Sequence, residues 1–180
     1  MVFSARVLCV NREGDERGPM KTISGKIIDR TWKRVNEATE EDAQGLMDEM
    51  AKEQPFIVTY LLAVEETMMS GDERGQLMLI GLILWKLFSA ENAGLVTVTK
   101  EELEAAEEAN IKFLEELESG SEMDHMSALQ HLMTTYNQIE VLNAVIEALM
   151  AGNEDEPELA GEHVGLALLH LKTVVDCFDR

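Results

Sequence analysis

The stretch LMLIGLILWKLF, from Leu77 to Phe88, decides the fold class of this chain, and Lys86 is its only charged residue. A helix that spans a bilayer needs about twenty apolar residues, so this stretch is too short to be a membrane anchor. A helix that is apolar around its whole circumference belongs inside a protein core. We therefore predict a buried central helix at about 76–92.

Helical signals continue on both sides of this stretch. Leu, Ala and 11 Met supply most of the apolar residues of the 180-residue chain, and these residue types favour helix over sheet. Thr39 is expected to cap one helix, and Thr99 with Glu102 forms a capping box for another. The prediction is an all-α single domain, a bundle or array of six or seven helices: about 29–36, 39–54, 55–69, 76–92, 99–118, 122–151 and 157–178.

Residues 1–28 differ in character from the rest of the chain. The β-branched stretches FSARVLCV and MKTISGKII are separated by the turn-rich NREGDERGP. This pattern predicts an N-terminal β-hairpin or extended arm at 1–28, followed by a helical domain at 29–180. An isolated hairpin is marginal in water, so the arm should pack on its own body or on a neighbouring subunit.

The net charge of −20 is unevenly distributed along the chain. Residues 1–36 contain eight Lys/Arg and four Asp/Glu, a net charge of +4, and the remaining residues carry −24. Such an acidic body repels phosphate backbones, so we expect no nucleic-acid binding. The acidity serves solubility or docks a basic partner, and an acidic nucleic-acid mimic is a further alternative.

Cysteine usage and the first residues predict a cytoplasmic protein. Cys9 and Cys177 are too few and too far apart to form a disulfide framework. Arg6 interrupts the first apolar stretch, and no secretory cleavage pattern follows it. We therefore expect both thiols to be reduced.

Glu122 and His125, in SEMDHMSALQH, have the Glu-x-x-His spacing of carboxylate-bridged metal sites in helical bundles. Such a site needs a second Glu-x-x-His, but alanine precedes His131, His163 and His170 at the corresponding position. We therefore interpret the stretch as the polar start of a helix and expect no metal or cofactor. A metal-binding bundle remains the alternative.

Two polar side chains occur on predicted apolar stripes, where an amide can fix the register or the partner of a helix. Asn110 belongs to the stripe of the helix at 99–118. Asn143, with Tyr136, belongs to a heptad seam on the helix at 122–151, formed by Leu129, Leu132, Tyr136, Ile139, Asn143, Ile146 and Met150. We predict that Asn110, Tyr136 and Asn143 lie at an interface or set its register.

These features favour a non-enzymatic protein that acts by protein–protein interaction, as a regulator or an adaptor. No nucleophile motif or phosphate-binding loop occurs in the sequence. The predicted helices also carry more apolar surface than one small core can bury. We therefore predict a symmetric homodimer, in which a second copy covers the remainder. The sequence does not identify the partner.

Overall fold

The computed structural model describes residues 20–91, 95–151 and 161–180, and eight helices occupy most of these ranges. They are α1 (Gly25–Asn36), α2 (Glu40–Glu53), α3 (Pro55–Leu62), α4 (Gly71–Glu91), α5 (Lys100–Ser119), α6 (Glu122–Thr135), α7 (Ile139–Met150) and α8 (Gly161–Phe178). The described ranges contain no strand, so the predicted all-α class is confirmed. The predicted number of six or seven helices is corrected to eight within these ranges.

Helix α4 is the centre of the core, as its sequence predicts. Its side chains are buried on all sides from Ile80 to Phe88, apart from the half-buried Lys86. Helices α1, α2, α3 and α8 pack around it. In the part of the chain that the structure describes, no helix is both long enough and apolar enough to cross a membrane.

Helix α4 begins at Gly71, earlier than the predicted start near 76, and Gly75 does not break it. The reason is a reciprocal cap between Ser70 and Glu73, which was not among the helix caps predicted from the sequence. The backbone N–H of Ser70 donates to Glu73 Oε2 at 2.7 Å, and the backbone N–H of Glu73 donates to Ser70 Oγ at 3.3 Å. These bonds satisfy N–H groups that a helix start otherwise leaves unpaired.

The predicted caps of α2 and α5 are confirmed. Thr39 accepts a hydrogen bond from the backbone N–H of Asp42, and Thr99 and Glu102 form a complete capping box. Pro55 opens α3, but that helix ends at Leu62 and not near Met69. Beyond it the chain turns, which brings Met69 into the core instead of continuing the helix.

The predicted single helix at 122–151 is wrong, because it consists of two helices. Helix α6 ends at Thr135 and α7 starts at Ile139, with Tyr136 in an extended conformation between them. The side chains of Tyr136, Asn137 and Gln138 all form long-range hydrogen bonds. These tertiary bonds compensate for the helical backbone bonds that are lost at the break.

The N-terminal hairpin is not confirmed. Its predicted first strand lies outside the described residues. Residues 20–24 form neither strand nor helix, and α1 begins at Gly25, before the helix predicted at 29–36. Residues 25–28, which the prediction included in the arm, are therefore helical.

Helix α8 is the second organising element of the fold. It packs against α4, α5 and α7, with one face fully buried and the Phe178 ring 5.5 Å from that of Phe88. Helix α5 is the principal neighbour of α6. This arrangement leaves α6 and one side of α7 on the outside of the bundle.

Candidate functional site

Asn110 lies in a buried polar cluster between α5 and α8, and only 5% of its surface is exposed. Its Nδ2 donates to Asp176 Oδ2 at 2.8 Å and to Thr173 Oγ1 at 3.1 Å. Lys172 Nζ donates to Asn110 Oδ1 and to Asp176 Oδ2, both at 2.7 Å. The amide therefore orients α5 on α8, because a buried amide is costly unless its hydrogen bonds are satisfied.

Tyr136 extends the same cluster toward the break between α6 and α7. Its hydroxyl donates to Asp176 Oδ1 at 2.6 Å, and Lys172 Nζ lies 4.9 Å from the centre of its ring. Burial, followed by the neighbouring Asp176 carboxylate, raises the pKa of Tyr136 far above its usual value. The phenol is therefore a neutral hydrogen-bond donor that fixes the end of α6.

Gln138 is fully buried and joins three parts of the chain. Its Oε1 accepts from the backbone N–H of Ile23 at 3.0 Å, and its Nε2 donates to the backbone carbonyl of Lys21 at 3.2 Å. The same Nε2 donates to Asp179 Oδ1 at 2.7 Å. One side chain thus holds the segment before α1, the start of α7 and the end of α8 together.

Asn137 strengthens this junction from the next position. Its Nδ2 donates to the Met20 carbonyl at 3.0 Å and to Asp179 Oδ1 at 2.8 Å. Burial raises the pKa of Asp179, while the hydrogen bonds from Gln138 and Asn137 lower it. Both amides were missed in the sequence, where they follow Tyr136 as ordinary polar residues; no periodicity distinguishes them.

The polar groups around Asn110 have a structural role, because they bond to one another across α5 and α8. The Asn110 amide uses both its oxygen and its nitrogen in bonds to α8, so the cluster satisfies itself internally. Burial raises the pKa of the Cys177 thiol to about 12, which keeps it neutral and a poor nucleophile. Burial also raises the pKa of Tyr60, whose hydroxyl donates to Glu107 Oε1 at 2.9 Å.

The stretch around Glu122 and His125 forms the start of α6. Ser121 and Asp124 make a capping box there, and hydrogen bonds from Ser121 lower the pKa of Asp124. His125 is half-buried, and its Nε2 has no hydrogen-bond partner. The side chain of Glu122 lies outside the described set. Among the described side chains, no group of three or more His, Cys, Asp or Glu is placed to hold a metal ion.

Asn143 does not occupy a core position, because the predicted seam residues Asn143, Ile146 and Met150 face away from the core. The buried face of α7 consists of Val141, Leu142, Val145 and Leu149. Asn143 is exposed, Ile146 is 38% exposed and Met150 is 65% exposed, whereas Ile139 is half-buried. We call these four residues, Ile139, Asn143, Ile146 and Met150, the outer face of α7.

A cleft of about 190 Å³ runs beside the outer face of α7, between that helix and α1. Three of the residues that line it are acidic, and Asn143 opens onto it from α7. The lining consists of Gly25, Ile28, Asp29, Glu140, Asn143, Ala144 and Glu147. The outer face of α7 is therefore bordered on this side by carboxylates.

Helix α6 exposes further apolar side chains. Met123, Met126 and Met133 are 79%, 66% and 64% exposed, and they follow the i, i+3, i+10 positions of one helical side. We call these three residues the methionine face of α6. No described side chain of α6 is buried. Single exposed apolar residues are ordinary, but several on one helix typically indicate a binding surface.

The sequence that contains α6 and α7 is acidic and lacks Lys and Arg. From residue 113 to residue 171 the sequence contains twelve Asp/Glu and no Lys or Arg. Both exposed apolar faces, on α6 and on α7, fall within this stretch. Neither α6 nor α7 therefore contributes a Lys or Arg to its own exposed face, and α1, which packs beside α7, is a helix that carries exposed Lys and Arg.

No protein-family model matches this sequence, and comparison with curated proteins and with solved structures finds no similar protein.

Proposed function

We propose that this chain is a non-enzymatic, cytoplasmic helical protein that acts by protein–protein interaction, as a regulator or an adaptor. The observation that supports this proposal most directly is that α7 has two apolar faces. One face, with Val141 and Val145, is buried in the core, and the other carries the exposed Ile146 and Met150 beside the half-buried Ile139. Several exposed apolar side chains that lie together on one helix are typical of an interaction surface.

The exposed methionines support the same proposal. Methionine has an unbranched, polarizable side chain that adapts to differently shaped partners, and surfaces rich in methionine often serve as docking sites. The methionine face of α6 lies on a helix whose described side chains contribute little to the core. The binding surface that we propose comprises this face and the outer face of α7.

Charge favours a basic protein partner over a second copy of this chain. The homodimer predicted from the sequence would place the outer face of α7 against itself, because a two-fold interface pairs the same patch on both subunits. Glu140 and Glu147 border that patch, so two copies that met α7 against α7 would bring these carboxylates together, and only a contact that placed the cations of α1 over them would avoid this. A basic partner would instead neutralise them, and we therefore propose it as the occupant.

The other functions predicted from sequence are not supported by an observation of their own in the described residues. His125 lacks a described set of metal-ligating neighbours, so the metal-binding bundle is not our proposal. A role as an acidic nucleic-acid mimic would depend only on the surface charge. It would not explain why α6 and α7 expose apolar side chains.

Affinity capture from the native host, compared among matched variants, tests the proposal. One variant changes the methionine face (Met126→Gln, Met133→Gln), and a second changes the outer face of α7 (Ile146→Gln, Met150→Gln). The control changes two exposed apolar residues elsewhere, Leu62→Gln and Met68→Gln, which are 62% and 50% exposed in the wild type.

We expect a protein that the wild type and the control retain and that at least one face variant loses. Equal recovery of every captured protein by all four forms would contradict the proposed function. Circular dichroism of each variant establishes that the helices are intact.

A further inference from the structure

We infer that the outer face of α7, together with the cleft beside α1, binds an amphipathic helix that carries Lys or Arg along one border. This inference rests on the proposed function and names the class of partner. It combines the spacing of the apolar residues, the acidic lining of the cleft, and the absence of a sheet edge from the described ranges of the chain.

The spacing of the outer face indicates that the bound segment is helical. Ile139, Asn143, Ile146 and Met150 follow each other at intervals of four, three and four residues, the pattern of a helix-packing seam. A helix rises about 1.5 Å per residue, so the face is roughly 17 Å long and matches about three turns of a partner helix. Helices that dock in this way use anchors at i, i+3, i+4 and i+7.

An extended peptide is a poorer occupant of the same surface. Extended segments usually bind by adding a strand to the exposed edge of a sheet, where main-chain hydrogen bonds provide the affinity. The described ranges of this chain contain only helices and connecting segments. A helix, whose own backbone hydrogen bonds are satisfied internally, needs only the side-chain contacts that α7 offers.

The acidic cleft indicates the charge of the partner. Asp29 from α1 and Glu140 and Glu147 from α7 line the cleft at the border of the apolar stripe. No Lys or Arg lines the cleft: α6 and α7 contain none, and the exposed Lys26, Arg30, Lys33 and Arg34 of α1 lie outside the lining. A partner helix whose anchors cover the stripe would place its flanking residues over these carboxylates, where Lys or Arg is favoured.

Asn143 gives the surface a polar position within the apolar stripe. An amide at such a position is satisfied only when the partner offers a hydrogen-bonding group opposite it, so it selects one register of the bound helix. We therefore expect the partner helix to carry a polar residue among its apolar anchors. Asn143 would then set the register of this interface, which is the role predicted from the sequence.

The test uses synthetic peptides titrated into the full-length protein and followed by fluorescence anisotropy. The probe is an 18-residue amphipathic helix with leucine anchors, one central asparagine and lysine at the flanking positions. One control peptide replaces every lysine with glutamate. A second control keeps the composition of the probe but scrambles its order, so that it has the charge without the apolar stripe.

We expect the basic probe to bind at least about tenfold more tightly than either control peptide, and its affinity to fall as salt is raised. The variant Ile146→Asp, Met150→Asp should lose at least about tenfold in affinity for the probe. The variant Glu140→Lys, Glu147→Lys should weaken the basic probe and strengthen the acidic one. Leu62→Asp with Met68→Asp serves as the matched control and should bind the probe like the wild type.

Three outcomes would overturn the inference. Equal binding of the basic probe and its scrambled form would show attraction by charge alone. Undiminished binding by the Ile146→Asp, Met150→Asp variant would place the probe elsewhere. Light scattering that shows a dimer of the wild type and a monomer of this variant would show that a second copy covers the face, with the exposed cations of α1 (Lys26, Arg30, Lys33 and Arg34) as its basic group.

Failure of the inference is distinguishable from failure of the proposed function. If no peptide binds but a captured protein still depends on Ile146 and Met150, the partner is not a basic helix and the interaction role stands. If neither the peptides nor the captured proteins depend on the exposed faces, both proposals are wrong.

Discussion

Gly81 determines how closely α3 approaches α4. A Cβ atom at this position would overlap with the side chain of Leu61, which is itself buried. Leu61 is surrounded by the core and has little space to move away, since protein interiors are close-packed. The only glycine within the apolar stretch of α4 is therefore explained by a helix–helix contact.

We predict that Gly81→Ala lowers the free energy of unfolding by about 1–3 kcal/mol, because overpacking outweighs the higher helix propensity of alanine. Gly75→Ala, in the same helix, is the matched control, since a Cβ there meets nothing within 4 Å. That change should stabilise the protein by about 0.5–1 kcal/mol. Urea denaturation of both variants measures the difference, and a Gly81→Ala variant as stable as the wild type would contradict this explanation.

Asn110 and Asn143 show how far residue patterns predict a site. Both occupy apolar stripes in the sequence, and both were interpreted in the same way. Asn110 faces α8, where Lys172, Thr173 and Asp176 satisfy its amide, and Asn143 faces outward. The difference arises because α7 is apolar on two sides, and periodicity alone does not determine which side faces the core.

Among the helices, the central helix α4 could be predicted from the sequence, whereas the break between α6 and α7 could not. An apolar stretch such as 77–88 is compatible only with burial, and the pair of Thr99 and Glu102 marks a helix start by local chemistry. The break depends on bonds from Tyr136 and Gln138 to residues at least 40 positions away. Such bonds leave no local pattern, and the 122–135 and 139–150 segments have good helix propensity on their own.

We predict that Gln138→Leu releases the segment before α1 from the bundle. The substitution leaves the buried Ile23 N–H and the part-buried Lys21 carbonyl without their partner, and an unsatisfied buried N–H costs about 1–3 kcal/mol. Hydrogen exchange should show loss of protection at the Ile23 amide, with a smaller change at amides in the middle of α4. Gln130→Leu, on the exposed side of α6, is the control. An Ile23 amide that exchanges as slowly as in the wild type would contradict the assignment of Gln138 as the clamp.

At the scale of the whole molecule, packing and charge separate into two regions. The core is formed by α4 and α8 with the helices around them, and its polar groups are satisfied within the chain. The outer face of α7 and the methionine face of α6 lie in the stretch without Lys or Arg. This separation supports the interaction role that we propose, because the core does not need the exposed residues. The prediction of a homodimer is not tested by the fold of one chain.

Site-specific photo-crosslinking in the native host tests whether the outer face of α7 binds a basic helix of another protein. A photo-reactive phenylalanine derivative replaces Ile146, and in a control it replaces Leu62, which is also exposed. We expect one discrete adduct at position 146 and none at position 62, formed with a different protein through a helical segment rich in Lys or Arg. An adduct between two copies of this chain, or the absence of any adduct specific to position 146, would contradict this expectation.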